Sequence, residues 1–406
     1  MCNMKNKWVV FIVLAVLIGL SSILFVNCGG ITHPAEQNNT PVTKNWELVG
    51  DAGFSAGNAE TLSLFTYRGT PYVAYQDRAN SNQATVMKFN GSTWESVGIP
   101  DFSLGGAAYI SLAVYNGTPY VAYQDDYNYG TGKDLVENRA TVMKFNGISW
   151  EVVGDPAFSA GVAVSTVLFI DNGTPFVAYS DSVNDSKATV MKFNGSTWES
   201  VGTPGFSSGG ASSFSLAGYN GTPYVAYSDS ANSNKATVMK FNGSMWESVG
   251  TPGFSANEIS HQSQSLSIYN GTPYLAYADL VLTNVGLLPK PEYVPKATVM
   301  KFNGASWECV GSPDFVQTEQ IEVVSLQVYN GIPYIAYKET AVGASMGRAS
   351  VMKFNGTNWE YVGGQGFSTH AASGILLFIT EQGIPYVAYT DYDNGHKATV
   401  MRYIEQ

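Results

Sequence analysis

The sequence predicts an all-β fold built from seven copies of one unit of four short strands. One tryptophan in each unit marks the register, and the seven are Trp46, Trp94, Trp150, Trp198, Trp246, Trp307 and Trp359. The spacings between them are 48, 56, 48, 48, 61 and 52 residues. Hydrophobic residues make up 45% of the 406-residue chain and charged residues 13%, which suits short strands between tight turns. Seven repeats at this period are typical of the blades of a β-propeller.

Each unit contains four strand-sized segments, named a, b, c and d in chain order. In the second unit they are predicted at 110–115, 119–125, 140–146 and 150–154, where β-branched and aromatic residues are enriched between turn residues. Asn116-Gly117 joins a to b and Asn146-Gly147 joins c to d, and Asn-Gly supplies the positive φ angles of a tight hairpin. Each unit is therefore predicted to be an antiparallel four-stranded blade.

The two ends of the repeat predict a closed ring. The repeat begins with a lone d strand at 46–50, and the chain finishes with a, b and c strands, the last at 398–403. We expect the N-terminal d strand to pair beside the C-terminal c strand, which hides two sheet edges. The predicted fold class is thus all-β, a seven-bladed β-propeller with four antiparallel strands per blade, closed by an N-terminal d strand.

The N-terminal segment has the features of a bacterial lipoprotein signal. Lys5 and Lys7 precede an uncharged apolar run from Trp8 to Val26, and Cys28 follows it as the expected site of cleavage and lipidation. An uncleaved signal anchor is the alternative, since about nineteen apolar residues nearly span a bilayer. We expect a signal peptide at 1–27, a flexible tether at 28–44 and the propeller at 45–406. The protein would be lipid-anchored in the bacterial cell envelope, at the outer membrane or cell surface.

Charge and motif content argue against several function classes. The net charge is −11 with only 21 Lys and Arg residues, so nucleic acid and anionic lipid surfaces would be repelled. The sequence contains no His-Glu-x-x-His, no Gly-x-Ser-x-Gly and no phosphate-binding glycine loop. We expect no cofactor, no metal site and no nucleic acid partner, and a monomer that meets the membrane only through its lipid anchor.

Cys309 is the one thiol expected in the folded part, because Cys2 leaves with the signal and Cys28 carries lipid. Other copies of the repeat have Ser96 or Val152 at its position. We therefore expect Cys309 to be a buried filler residue, and neither a nucleophile nor part of a disulfide.

Loop lengths differ on one face of the predicted propeller. The 56-residue spacing comes from a longer b-to-c loop at 125–139, and the 61-residue spacing comes mostly from another at 279–296. The b-to-c loops and d-to-a crossings of a propeller emerge on one face, named here the variable face. The a-to-b and c-to-d turns, which are expected to keep one length, emerge on the other, named the hairpin face. Loops that vary on a rigid scaffold usually carry binding function.

Charged residues recur where strand b meets strand c. Strand b ends in an acid in every copy: Asp77, Asp125, Asp181, Asp229, Asp279, Glu339 and Asp391. Strand c begins with a base or an amide: Gln83, Arg139, Lys187, Lys235, Lys296, Arg348 and Lys397. We expect structural cross-strand ion pairs here. In five copies an Asn lies three residues after the acid; an Asx turn explains this spacing, and a calcium site is the weaker alternative.

Aromatic residues also recur, which favours core packing over ligand contact. The tyrosines of strand b are Tyr75, Tyr123, Tyr179, Tyr227, Tyr277, Tyr337 and Tyr389. The phenylalanines expected to pin the d-to-a crossings are Phe54, Phe102, Phe158, Phe206, Phe254, Phe315 and Phe367.

The c-to-d hairpin from Lys88 to Trp94, KFNGSTW, resembles the Asp-box turn of sialidase-type propellers. It has Asn in place of Asp and Lys in place of the leading Ser, and the arginines of this chain do not match the three that a sialidase requires. The overall layout after the signal is more similar to repeat lectins of the fucose-binding propeller kind. That resemblance implies sugar binding, although the recurring Arg, Glu and aromatic set of those lectins does not map onto this repeat.

The predicted function is a non-catalytic module that binds a glycan or a protein through the variable face. The candidate ligand-binding residues break the repeat with groups that stack or hydrogen-bond: Asp126, Tyr127, Tyr129, His261, Glu292, Tyr293 and His370. The alternative is a propeller-type glycoside hydrolase or polysaccharide lyase. Its acid and base would come from carboxylates outside the repeat, namely Asp134, Glu137, Glu258 or Glu319.

Overall fold

The computed structural model describes residues 44–127, 138–282, 293–316, 320–340 and 347–405. These residues form seven separate antiparallel sheets of four strands each, arranged as a propeller. The helical structure in these ranges is limited to two 3₁₀ turns, Ser182–Asn184 and Ser230–Asn232. The predicted fold class is confirmed. Within the same ranges, no helix has the length and hydropathy needed to cross a membrane.

The strands are numbered in chain order. Strand β1 is Lys44–Leu48. Blade 1 contains β2 (Ala59–Tyr67), β3 (Thr70–Asp77), β4 (Gln83–Phe89) and β5 (Trp94–Ser96). Blade 2 contains β6 (Ala107–Tyr115), β7 (Thr118–Asp125), β8 (Arg139–Phe145) and β9 (Trp150–Val152). Blade 3 contains β10 (Ala163–Asp171), β11 (Thr174–Asp181), β12 (Lys187–Phe193) and β13 (Trp198–Ser200).

The remaining blades follow the same order. Blade 4 contains β14 (Ala211–Tyr219), β15 (Thr222–Asp229), β16 (Lys235–Phe241) and β17 (Trp246–Ser248). Blade 5 contains β18 (Ile259–Tyr269), β19 (Thr272–Leu282), β20 (Tyr293–Phe302) and β21 (Trp307–Cys309). Blade 6 contains β22 (Gln320–Tyr329), β23 (Ile332–Thr340), β24 (Arg348–Phe354) and β25 (Trp359–Tyr361). Blade 7 contains β26 (Ala372–Ile379), β27 (Pro385–Asp391) and β28 (Lys397–Glu405), completed by β1.

The ring closes as predicted, through the first strand. Strand β1 pairs antiparallel with β28, with Trp46 opposite Tyr403, and it becomes the outer strand of blade 7. The N-terminal strand thereby covers the edge that β28 would otherwise expose, and no blade in the ring is left incomplete.

The register tryptophans and the crossing phenylalanines join each blade to its neighbour. In every blade the indole Nε1 donates to a valine carbonyl oxygen of the preceding blade at 2.7–2.8 Å, as Trp246 does to Val201. A phenylalanine of the crossing stacks on the same indole with ring centroids 4.0–4.4 Å apart. The strand-b tyrosines are at most 1% exposed. The aromatic repeat is therefore core, as expected.

Strand a is longer than predicted because it continues past a bulge. In blade 2 it begins at Ala107 instead of residue 110, and its register with β7 shifts between Ala108 and Ser111. Tyr109 lies in this bulge with a φ of 51°. Strand a of every blade has a register shift at this point. The extra residues bend the innermost strand near the variable face, a feature that the hydrophobic pattern does not reveal.

The two hairpin types use Asn-Gly differently. In the a-to-b turn of blade 2 both residues have positive φ, 49° at Asn116 and 80° at Gly117, as predicted. In the c-to-d turn only the glycine does, and Asn90 Oδ1 instead accepts the backbone N–H groups of Ser92 and Thr93. The expectation of constant length is wrong in blade 7. There, five residues separate the paired Ile379 and Pro385, one more than between the equivalent pair in other blades.

Candidate functional site

The recurring strand-b acids are buried, and those of blades 1 to 4 and 7 accept hydrogen bonds from their own b-to-c loops. Asp229 is 1% exposed, and its carboxylate accepts hydrogen bonds from Ala231 N (3.0 Å), Asn232 Nδ2 (2.8 Å) and Thr237 Oγ1 (3.0 Å). Asp181 has the same three partners in blade 3. The Asx turn is therefore present, with the Asn nitrogen turned toward the carboxylate. Such an amide is a donor to the acid and not an oxygen ligand for calcium.

The expected ion pairs at these positions are wrong for Asp181 and Asp229. The register does place Asp229 opposite Lys235, but the carboxylate turns inward to the loop donors. The long side chain of a lysine extends along the protein surface and keeps its ammonium group in water. Lys235 instead lies near Asp279 of the next blade, where burial raises the pKa of the carboxyl. Hydrogen bonds from Asn257 and the charge of Lys235 offset part of that increase.

In the crossings that the structure describes, blades 5 and 7 replace the glycine with a side chain that faces the acid. Blades 1 to 4 have Gly57, Gly105, Gly161 and Gly209, where a Cβ would lie within 2.5–2.7 Å of the b-to-c loop. Blade 5 has Asn257, whose N and Nδ2 donate to Asp279 at 3.0 and 3.3 Å. Blade 7 has His370 in the same place. The variable face is thus chemically different in these two blades.

His370 lies between two carboxylates. Its Nδ1 is 3.5 Å from Asp391 Oδ1, and its Nε2 is 3.7 Å from Asp393 Oδ2. Asp391 is buried, whereas the His370 and Asp393 side chains are 37% and 62% exposed. The buried atoms His370 Nδ1 and Asp391 Oδ1 form no hydrogen bond that meets standard geometry. An imidazole held between two carboxylates, with one edge open to solvent, can contact a ligand or exchange a proton with it.

The candidate residues of blade 2 lie where the b-to-c loop packs on the crossing. A Cβ on Gly105 would be 2.5 Å from Asp126 Oδ1, so the two segments are in direct contact. The backbone N–H of Tyr127 donates to Asp125 Oδ1 at 3.0 Å, while 39% of Tyr127 is exposed. Tyr129 lies outside the described residues.

In blade 5 the segment predicted as a loop is partly a hairpin. Strands β19 and β20 continue three pairs beyond Asp279, as far as Leu282 opposite Tyr293, because Val281 and Leu282 support strand pairing. Tyr293 is 56% exposed on this projecting hairpin. His261 is exposed in the strand-a bulge of the same blade. Glu292 lies outside the described residues.

The described candidates are thus distributed over blades 2, 5 and 7 of the variable face. Among the carboxylates proposed for catalysis, Glu258 is exposed in the crossing of blade 5 and accepts a hydrogen bond from Asn234 Nδ2 at 3.0 Å. Asp134, Glu137 and Glu319 lie outside the described residues, as does Cys28.

Cys309 is exposed, so the expectation of a buried filler is wrong. The d strand is the outer edge of its blade, and its alternate side chains face solvent. Partial burial raises the pKa of the Cys309 thiol, and the carboxylates of Asp314 and Asp279 raise it further. These causes oppose thiolate formation, and the thiol is therefore not activated as a nucleophile.

Among the described residues, the buried polar atoms that lack a hydrogen bond lie away from the hairpin turns. These side-chain atoms are Asn58 Oδ1, Gln264 Oε1, Thr298 Oγ1, Asp314 Oδ1, Tyr337 Oη, His370 Nδ1 and Asp391 Oδ1. Asn58, Asp314 and His370 are in crossings, and Asp391 ends a b strand, so four of these atoms are on the variable face. In the described ranges, no three His, Cys, Asp or Glu residues are placed to hold a metal ion.

The hairpin face carries cavities that the sequence reasoning missed. They lie between adjacent blades at five interfaces, with volumes of about 330 to 550 Å³. Between blades 4 and 5 the walls include Tyr224, Lys240, Tyr274 and Lys301. The available signal was the lysine that recurs three residues before each Gly of the c-to-d turn, since a cation at the same place in six copies indicates a shared role.

The lysines of these cavities are held by exposed ion pairs. In six blades the ammonium is 3.1–3.5 Å from a glutamate of strand d, as Lys240 is from Glu247. Blade 7 has Arg402 and Glu47 instead. The hydrogen bond from Asn242 and the neighbouring Lys240 hold the pKa of the Glu247 carboxyl below its usual value. Each pair presents a donor and an acceptor side by side with no net charge.

Comparisons with known proteins bear on the fold. No protein-family model matches the sequence, and no curated protein matches it. Among solved structures, an ulvan lyase of polysaccharide lyase family PL25, bound to -[GlcA(1-4)Rha3S]-, has a TM-score of 0.55 at 14% identity, over 86% of this chain and 94% of that one. The chain is similar in fold to polysaccharide lyases. The lyase Uly1 has a TM-score of 0.51 at 11% identity, over 88% of this chain and 91% of that one.

A third similar structure is an α-L-arabinofuranosidase from Fusarium graminearum. Its TM-score is 0.44 at 11% identity, over 74% of this chain and 93% of that one. At such identities the likeness concerns the fold alone, and activity is argued from residues.

Proposed function

We propose that this chain is a lipid-anchored protein of the bacterial cell envelope that binds a glycan through its variable face without catalysis. The exposure of two aromatic side chains carries the proposal. Tyr127 and Tyr293 are 39% and 56% exposed, whereas the strand-b tyrosines are at most 1% exposed. Neither of these two rings is buried in the core. An exposed tyrosine offers a sugar both an apolar face for stacking and a hydroxyl for hydrogen bonding.

The backbone beside both tyrosines is held in place before any ligand arrives. The N–H of Tyr127 is fixed to Asp125, and Tyr293 is paired with Leu282 in the extended hairpin. A side chain on a fixed backbone loses less conformational freedom on binding than one on a mobile loop. The fold similarity to polysaccharide lyases, one of them bound to a uronate-containing saccharide, supports a polysaccharide as the class of ligand.

A glycan array probed with the full chain in detergent tests this proposal. The array should include neutral and acidic polysaccharides. We expect binding to be about tenfold weaker in Tyr127→Ala and in Tyr293→Ala, which corresponds to about 1.4 kcal/mol for each ring. Tyr219→Ala is the matched control, because Tyr219 is 37% exposed on the hairpin face. Binding that survives both changes, or that falls equally with Tyr219→Ala or Lys240→Met, would refute the assignment to the variable face.

A second candidate function is cleavage of the bound polysaccharide. The observation that favours it is the position of His370, between Asp391 and Asp393, which suits a group that accepts and returns a proton. Incubation of the full chain with each polysaccharide it binds, followed by chain-length analysis, tests this candidate. Shortening that disappears in His370→Ala would favour an enzyme. Intact polysaccharide after prolonged incubation would leave binding as the function.

A further inference from the structure

The point at which the chain enters the propeller lies on the hairpin face. Strand β28 starts at Lys397, opposite Asp391 on the variable face, and runs to Glu405. Its antiparallel partner β1 starts at Lys44, opposite Glu405. Lys44 is therefore at the hairpin-face end of blade 7. Because β1 is the outer strand of that blade, the chain enters at the rim of the face and not through the ring centre.

We propose that the hairpin face is the side of the propeller that faces the lipid surface, so that the variable face points away from the membrane. This inference rests on the lipid anchor of the proposed function. Cys28 and Lys44 are sixteen residues apart in the sequence. Sixteen residues reach at most about 55 Å even when fully extended. The rim of the hairpin face is the part of the propeller that this short connection holds beside the lipid.

The charges on the two faces favour the same orientation. On the hairpin face, the lysines and glutamates of the c and d strands pair one to one and cancel. Exposed acids of the variable face include Asp126, Asp155, Asp185, Glu258 and Asp393. A leaflet that contains anionic lipids therefore repels the variable face more strongly than the hairpin face.

Exposed apolar side chains lie on both faces and therefore do not decide the orientation. On the hairpin face, Ile148 and Met245 are in c-to-d turns and are 88% and 62% exposed, and Ile332, which begins β23 beside an a-to-b turn, is 38% exposed. The variable face exposes Leu104 and Val183 to a similar degree. The hairpin-face residues are spread over separate blades, so they add weak contacts to an anchored protein and would not hold it on a membrane alone. The lipid supplies attachment, whereas the entry point of the chain and the charges of the two faces supply orientation.

Fluorescence quenching in vesicles tests the orientation. The full lipidated chain carries Cys309→Ser and one new labelled cysteine, at Ile148→Cys or Met245→Cys on the hairpin face, or at Leu104→Cys or Val183→Cys on the variable face. Leu104 and Val183 are 60% and 58% exposed, close to the 62% of Met245. The vesicles are phosphatidylcholine with a fraction of nitroxide-headgroup lipid. We expect several-fold stronger quenching of both hairpin-face labels than of both variable-face labels.

Equal quenching of the two pairs, or stronger quenching on the variable face, would overturn the orientation. Adding phosphatidylglycerol should widen the difference, and high salt should reduce it again, because salt screens the repulsion. Mass spectrometry of the intact wild-type chain tests the premise separately. An acylated chain that begins at Cys28 supports the lipid anchor, whereas an unacylated chain that keeps residues 1–27 means that the segment acts as a signal anchor. In that second case the labels, placed in a chain that also carries Cys2→Ser and Cys28→Ser, still report the orientation, since entry at Lys44 is unchanged. If Cys28 is acylated while the labelled chains quench equally, the anchor is right and the orientation is wrong.

Discussion

The hairpin face and the variable face of this propeller are built from the same seven repeats, yet they differ in how fully their polar groups are paired. On the hairpin face, Asn90 Oδ1 accepts two backbone N–H groups, and its Nδ2 donates to Glu95, which also pairs with Lys88. On the variable face, Asn58 and Asp391 each keep a buried atom without a hydrogen bond. On the hairpin face, each turn pairs its own polar groups by local hydrogen bonds. On the variable face, the pairing of polar groups depends on loops that differ from blade to blade.

The largest expected effect comes from the ring closure, on which both faces depend. Trp46→Ala removes a buried indole that stacks on Phe367 and donates to the Val362 carbonyl oxygen at 2.7 Å. We expect a loss of about 3–5 kcal/mol in the free energy of unfolding, measured with urea. Trp94→Ala is the control, because it loses equivalent contacts but leaves the ring closed. The Trp46 variant alone should self-associate in size-exclusion chromatography, since detachment of β1 exposes the edge of β28. Two equally monomeric variants would contradict this role of β1.

The next largest effect on stability distinguishes a buried carboxylate of the variable face from an exposed carboxylate of the hairpin face. Asp229→Ala leaves three donors, Ala231 N, Asn232 Nδ2 and the buried Thr237 Oγ1, without their acceptor, and we expect a loss of about 1–3 kcal/mol in the free energy of unfolding. Glu247→Ala removes only solvent-exposed contacts, the ion pair with Lys240 and the hydrogen bond from Asn242, and should not change the unfolding midpoint measurably. Urea unfolding of the two variants side by side checks the comparison. An equal loss in both would mean that the pairing on the two faces is energetically alike.

A smaller effect should appear in the pH dependence of stability. Burial raises the pKa of Asp279, so the folded chain holds this proton more tightly than the unfolded chain does. Stability from this group is present below the usual pKa of Asp, about 3.9, and is lost as the pH rises through the raised value. The unfolding free energy of the wild type minus that of Asp279→Asn should therefore fall across this window. Urea titrations at several pH values measure it, and a difference that rises with pH would contradict the sign.

Much of the fold was predictable from the sequence, because it depends on short-range signals that recur. The seven tryptophans set the number of blades, and the lone d strand before residue 50 predicted the closure that β1 makes with β28. The strand-a bulge at Tyr109 was not predictable, since a single inserted residue hardly alters a hydrophobic pattern. Nor was the hairpin extension to Leu282 and Tyr293, which depends on a pairing between two segments that each resemble loop.

The exposure of the candidate tyrosines was predictable from the sequence, whereas the surroundings of His370 were not. Tyr127 and Tyr293 were expected to be available to a ligand, and both are exposed. The placement of His370 between Asp391 and Asp393 required the crossing and the b-to-c loop to be seen together. The cavities between blades were missed because their walls come from two repeats, whereas the sequence shows one repeat at a time.

Hydrogen exchange with and without bound glycan is the most direct test of the central claim, that the variable face binds the ligand. The full chain is saturated with a glycan that it binds on the array, and protection of each peptide is measured by mass spectrometry. We predict added protection at Asp126 and Tyr127 and at the paired ends of β19 and β20. The c-to-d turns, such as Asn242-Gly243, should exchange as they do without ligand. Protection confined to those turns would contradict the account and move the binding site to the hairpin face.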